Sequence, residues 1–147
     1  MQGWIGVDLD GTLAYFDEWR GPDHIGAPIP RMLERVKKWL AEGRDIRIFT
    51  ARCIPTPTDE FGTNDLKHTR EVIEAWCFKH LGRVLPITGS KDYGMIELWD
   101  DRCRQVVPNT GVAVGEVNAH LIRTIDKVTD FIGDRSDYLQ ELLTINP

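Results

Sequence analysis

Cysteine is scarce in this chain of 147 residues: Cys53, Cys77 and Cys103 are odd in number, far apart and form no CxxC pair. That spacing argues against a disulfide framework and against a zinc site, and it suits a reducing, cytoplasmic setting. No apolar run approaches the roughly 18 residues of a membrane helix. The opening apolar run is too short for a signal peptide and reaches Asp8 at once. Positive charge is not in excess: the net charge is -5, so the overall field does not favour non-specific binding to nucleic acid. A local basic lip remains compatible with that balance. There is no internal repeat, no low-complexity tract and no GxxxxGK[ST] phosphate loop. What remains is an ordinary globular composition, 41% hydrophobic and 28% charged, long enough for one domain with a real core.

The chain is organised around Trp4-Ile5-Gly6-Val7-Asp8-Leu9-Asp10-Gly11-Thr12. An apolar run over 3–8 predicts a buried strand, and it ends in two aspartates separated by one residue. In an open α/β sheet, ligands bind at the carboxyl ends of the strands, which is where Asp8 and Asp10 would sit. Carboxylates this close in a partly dry site call for a cation.

Residues 14–29, with Gly21, Pro22, Gly26 and Pro28, predict a loop, with a helical turn at Tyr15–Trp19. Pro30, the stripe Met32, Leu33, Val36, Trp39 and Leu40, and Gly43 predict a helix over 30–42. Alternation in 45–50 predicts a second strand, and 52–63 a second loop. A helix then runs to about Leu81, capped by Thr63 or Asn64 and closed by Gly82. Residues 83–88 predict a third strand, placed at a sheet edge by Pro86. Residues 95–99 predict a fourth, followed by Asp100-Asp101. Val106-Val107 reads as a short fifth strand and Gly111–Val114 as another extended piece. From about 117 to 145 the pattern is helical, suited to packing on the domain or to a homo-oligomer contact. Strands alternating with helices predict an α/β fold: a Rossmann-like three-layer αβα sandwich on a mostly parallel sheet, core about 1–114.

Parallel strands present their carboxyl ends on one edge, so Asp8, Asp10, Thr50, Lys91, Asp100 and Asp101 can converge. Their chemistry is complementary. A carboxylate can attack a phosphorus atom held in line. Mg²⁺ prefers oxygen ligands and would offset the repulsion among the aspartates. Thr50 and Lys91 can receive phosphate oxygens, and Asp10 can move a proton to the leaving oxygen and from water. Arg52 and Arg102 border the site, as substrate contacts or as paired surface charges. His24 and His68 lie in or near the two loops. Trp19 and Phe61 can stack on a base or fill the core. Cys53 reads as a small buried filler.

Asp8-Leu-Asp10-Gly11-Thr12 resembles the first motif of the haloacid dehalogenase-like superfamily. Ile48-Phe49-Thr50-Ala51-Arg52 is similar to its second motif, Lys91 to its third and Leu98-Trp99-Asp100-Asp101 to its fourth. The ordered set spans residues 3–101. The resemblance implies a phosphatase working through an aspartyl-phosphate intermediate. Asp8 would be nucleophile and metal ligand. Asp10 would be acid/base, its backbone carbonyl also touching the metal. Asp101 would be a direct ligand of Mg²⁺, with Asp100 direct or through water, and Thr50 and Lys91 would bind phosphate. The second aspartate of the first motif favours phosphoryl transfer over dehalogenation, and neither loop is long enough for a cap domain. An open site suits a bulky substrate, such as a nucleic-acid end or a phosphoprotein, and the favoured expectation is a nucleotide or nucleic-acid end. The alternatives are a small-metabolite phosphatase with a lid supplied by another subunit, or a fold retained as a binding module without turnover. Thr69-Arg70 before Trp76, and Asp100-Asp101-Arg102 before Gln105-Val106-Val107, resemble the phosphatase domain of phage-type polynucleotide kinase–phosphatases.

Overall fold

The structure is a computed structural model and describes residues 3–55 and 65–116. The chain divides into two compact units, Met1–Arg102 and Cys103–Pro147. The expected helical segment 117–145, and with it the expected oligomer contact, lies outside the described residues.

The first unit holds β1 (Trp4–Asp8), α1 (Pro30–Ala41), β2 (Asp45–Phe49), α2 (Leu66–Leu81), β3 (Ile87–Thr88) and β4 (Met95–Trp99). The four strands form one sheet in the order β3-β2-β1-β4, and every pairing is parallel. This is an α/β architecture. The chain order runs outward from β1 through β2 to β3, then returns to the other side of β1. The reversal at β1 and β4 opens a crevice beyond their carboxyl ends, where open parallel sheets bind ligands.

Side-chain alternation decides the core. Ile5, Val7, Ile46 and Ile48 face one way and are buried with Met32 and Val36 of α1 and Ile73, Trp76 and Cys77 of α2. Both helices therefore cover the same face. On the opposite face, the β3-to-β4 connection crosses the sheet. Asp92 there accepts from Trp4 Nε1 at 2.7 Å and pairs with Arg47 at 3.6 Å. Among the described residues no helix covers that face, so the third layer of the expected sandwich is not part of them.

Several expectations shift. The third strand shortens to Ile87–Thr88: Ile48 N donates to the Pro86 carbonyl at 2.8 Å, and proline has no N–H to extend the ladder. As expected from Pro86, β3 is an edge strand. The cap of α2 is Asp65, whose carboxylate accepts from His68 N at 3.0 Å. Residues Tyr15–Trp19 form no helical turn. Tyr15 N instead donates to Ala27 O and Ile29 N to Leu13 O, both at 2.8 Å, pinching the 14–29 loop at its neck. In the second unit, Val106 and Ala113 form a single antiparallel bridge rather than two strands.

Candidate active site at the carboxyl edge of the sheet

The register between β1 and β4 brings the acids together. Trp4 pairs with Met95 but Ile5 with Glu97, so Ile96 is bulged and half-exposed. The bulge sets Val7 opposite Trp99, and the next residue on each strand is an aspartate, Asp8 and Asp100. Carboxylate oxygens of Asp8, Asp100 and Asp101 all lie within 4.8 Å of one another. Asp8 and Asp100 are partly buried and Asp101 is exposed.

Two residues after the strand shape this cluster. Thr12 Oγ1 donates to Asp8 Oδ2 at 3.1 Å and accepts from Asp101 N at the same distance. One hydroxyl thus ties the two acidic segments. Gly11 has φ +90°, and a Cβ there would stand 2.8 Å from Asp101 Oδ2. Only glycine combines that backbone with so close an approach.

Burial, and then the Asp100 charge, push the Asp8 carboxyl up from 3.8 to about 7, against the Thr12 hydrogen bond that lowers it. Three clustered carboxylate donors suit a hard divalent cation such as Mg²⁺. Asp10 differs from these three. Its carboxylate receives both sides of a guanidinium fork, from Arg52 Nε at 2.6 Å and Nη2 at 2.7 Å.

A cavity of about 580 Å³ lies over these groups. All four aspartates line it, with Arg52 and Arg102. Phe16, Trp19, Phe49 and Ile54 supply apolar wall. Thr50 also lines it and is almost fully buried; its Oγ1 accepts from Arg52 N at 3.2 Å, which leaves the hydroxyl proton for a substrate oxygen. That bond opens a single 3₁₀ turn, Ala51–Cys53, and the turn directs Arg52 inward.

The structure therefore gathers Asp8, Asp10, Thr50, Arg52, Asp100, Asp101 and Arg102 around one cavity. It does not gather Lys91. The turn after β3 reaches the cavity at Gly89, whereas Lys91 is exposed and lines none of it. His68 pairs with Asp23 at 2.5 Å and His24 contributes a backbone carbonyl, and neither ring lines the cavity. Phe61 lies outside the described residues. Cys53 is buried, donates to Thr50 O at 3.1 Å and has its thiol pushed upward by burial, the pattern of an inert filler. Arg70 braces α2 against β3 by donating to Ile87 O at 3.1 Å.

Sequence reasoning passed over Thr12, and it left Arg52 between two roles. For Thr12 the signal was its position four residues after Asp8 on a turn forced by Gly11. The partners of Arg52 are 28 to 42 residues away in the chain, and no local pattern reveals them.

No protein-family model matches the chain, and no curated protein does. A solved structure of a conserved protein from Bacteroides thetaiotaomicron is similar at 21% identity and a TM-score of 0.44, covering 74% of this chain and 84% of that one.

Proposed function

We propose that the protein is a Mg²⁺-dependent phosphomonoester hydrolase of the haloacid dehalogenase-like type, acting on a nucleotide or nucleic-acid end. The observation that carries this reading is the three-carboxylate cluster at the ends of β1 and β4, with a fourth carboxylate beside it held apart from the others. Asp8, Asp100 and Asp101 would hold the cation, whose charge lets an anionic phosphate approach them.

In the first step an Asp8 carboxylate oxygen forms a bond to phosphorus. The bond to the leaving oxygen breaks, its electron pair stays on that oxygen, and Asp10, protonated in the Michaelis complex, delivers its proton. In the second step Asp10 takes a proton from water as the water oxygen attacks phosphorus. The bond to Asp8 breaks, its electrons return to the carboxylate, and inorganic phosphate leaves. The Thr50 hydroxyl donates to a phosphate oxygen, and Arg102 at the cavity wall offers it a charge. The apolar wall of Phe16, Trp19, Phe49 and Ile54 suits a leaving group with a flat, weakly polar body, which a nucleoside has.

The test is release of phosphate from a panel of mononucleotides, 3′-phosphorylated oligonucleotides, sugar phosphates and an aryl phosphate. Activity should require Mg²⁺, cease with EDTA and disappear in Asp8→Asn. Turnover that survives Asp8→Asn refutes the covalent mechanism.

A further inference from the structure

The Arg52 side chain is almost fully buried, at 4% exposure, beside an open cavity. A guanidinium carries five N–H donors in a rigid plane. Nε and one N–H of Nη2 go to the two oxygens of Asp10. The second N–H of Nη2 goes to His24 O at 2.9 Å, and one of Nη1 to Pro22 O at 3.3 Å. The plane also lies over the Trp19 ring, 4.7 Å from its centre. Four of the five donors are thus committed within the protein, which leaves little of Arg52 to bind a substrate.

The partners fall into two groups. One is Asp10, which the proposed reaction uses to move a proton. The other is the far side of the 14–29 loop, which carries the cavity-wall residue Trp19. The loop is also held at its neck, by Trp76 Nε1, which donates to Gly26 O at 3.0 Å, and by the exposed pair of Asp23 with His68 on α2. Beside those anchors, Arg52 ties down Pro22 and His24.

We infer that Arg52 is a positioning residue that fixes the Asp10 carboxylate and the 14–29 loop with one guanidinium, so that the proton-transfer group and the leaving-group wall are set in register. The Asp10 half of this inference rests on the phosphatase reading; the loop half does not. Two of the roughly four lone-pair sites of the carboxylate accept from Arg52, and the others remain for a proton in transit. Lysine keeps the charge but is a point donor and cannot match the fork.

The experiment compares wild type with Arg52→Lys in two ways. With Mg²⁺, kcat/KM is measured on an alkyl phosphate, whose leaving oxygen needs a proton, and on a nitrophenyl phosphate, whose leaving oxygen does not. A displaced proton donor should cost about 10²-fold on the alkyl ester and less than about threefold on the aryl ester. Separately, limited trypsin digestion is followed by mass for cleavage after Arg20, inside the loop, against cleavage after the exposed Arg83 as internal reference. Loss of the strap should raise Arg20 cleavage relative to Arg83, whereas general unfolding raises both. Equal losses on the two esters overturn the Asp10 role, and unchanged Arg20 cleavage overturns the loop role. If wild type hydrolyses neither ester, the phosphatase reading falls, and proteolysis alone decides whether Arg52 straps the loop.

Discussion

Asp8→Asn sets folding against chemistry and gives the most direct measure of the acidic cluster. A carboxyl moved from 3.8 to about 7 prefers its neutral form by about 4 kcal/mol. Asp8 is only partly buried, and solvent screening reduces that to about 2 kcal/mol. The sign follows from proton binding. Between pH 3.8 and about 7 the folded chain holds a proton on Asp8 that the unfolded chain has lost, so stability falls as pH rises across that window. Above about 7 the whole penalty is present. Asparagine keeps the shape and still accepts the Thr12 hydrogen bond, but carries no charge. In EDTA at pH 8, Asp8→Asn should therefore unfold with a Tm about 4–8 °C above wild type, and near pH 4 the two should coincide. Adding Mg²⁺ at pH 8 should raise the Tm of wild type more than that of the variant, because a cation that binds only the folded chain stabilises it. Thermal unfolding followed by circular dichroism reads both effects. A variant no more stable than wild type at pH 8 in EDTA refutes the argument that burial and the Asp100 charge penalise an ionised Asp8.

Gly11→Ala should put a Cβ against the Asp101 carboxylate on a backbone that disfavours it, costing about 1 kcal/mol or more in stability and about tenfold or more in Mg²⁺ affinity; calorimetric titration with Mg²⁺ and urea unfolding measure the two. The His68 imidazole is raised above its usual value by its hydrogen bond to Asp23 and that residue's charge. The contribution of the pair is therefore fully present below pH 6.5 and is lost as pH rises through the folded midpoint. NMR titration should place that midpoint above 6.5 in wild type and return it towards 6.5 in Asp23→Asn.

The parts of the fold written locally were legible. The apolar run into Asp8 gave β1 to within a residue, and Pro30, the apolar stripe and Gly43 gave α1. The sheet is parallel, as alternation of strands and helices implies. Interactions across the chain account for the rest. Tyr15–Trp19 has a composition that a helical turn accepts, but Tyr15 N is taken by Ala27 O. Residues 83–86 have strand-forming residues, yet pairing begins only after the proline. In the site, the acids were legible because Asp8 ends β1 and Asp10, Asp100 and Asp101 lie within two residues of a strand end, and strand ends converge by topology. Lys91 sits in a connection whose path depends on the opposite face of the sheet, where Asp92 meets Trp4 and Arg47. The role of Arg52 depends on two carbonyls of a loop that has no repetitive structure.

Charge within the cavity gives those placements a consequence. Four carboxylates and two guanidiniums line it. Arg52 is consumed by Asp10, so that pair is internally balanced and contributes little attraction to an anion. Among the other groups lining the cavity, three are acidic, Asp8, Asp100 and Asp101, and one is basic, Arg102, an acidic excess where the proposed phosphate must sit. With Lys91 outside the lining, the described side chains cannot reverse that excess, and a phosphomonoester dianion would be repelled. One divalent cation among the three carboxylates offsets it, and leaves Arg102 and the Thr50 hydroxyl to orient the phosphate. The same comparison separates Asp8 from Asp10. In the proposed reaction a bound cation would balance Asp8, whereas Asp10 has the Arg52 guanidinium built into the chain.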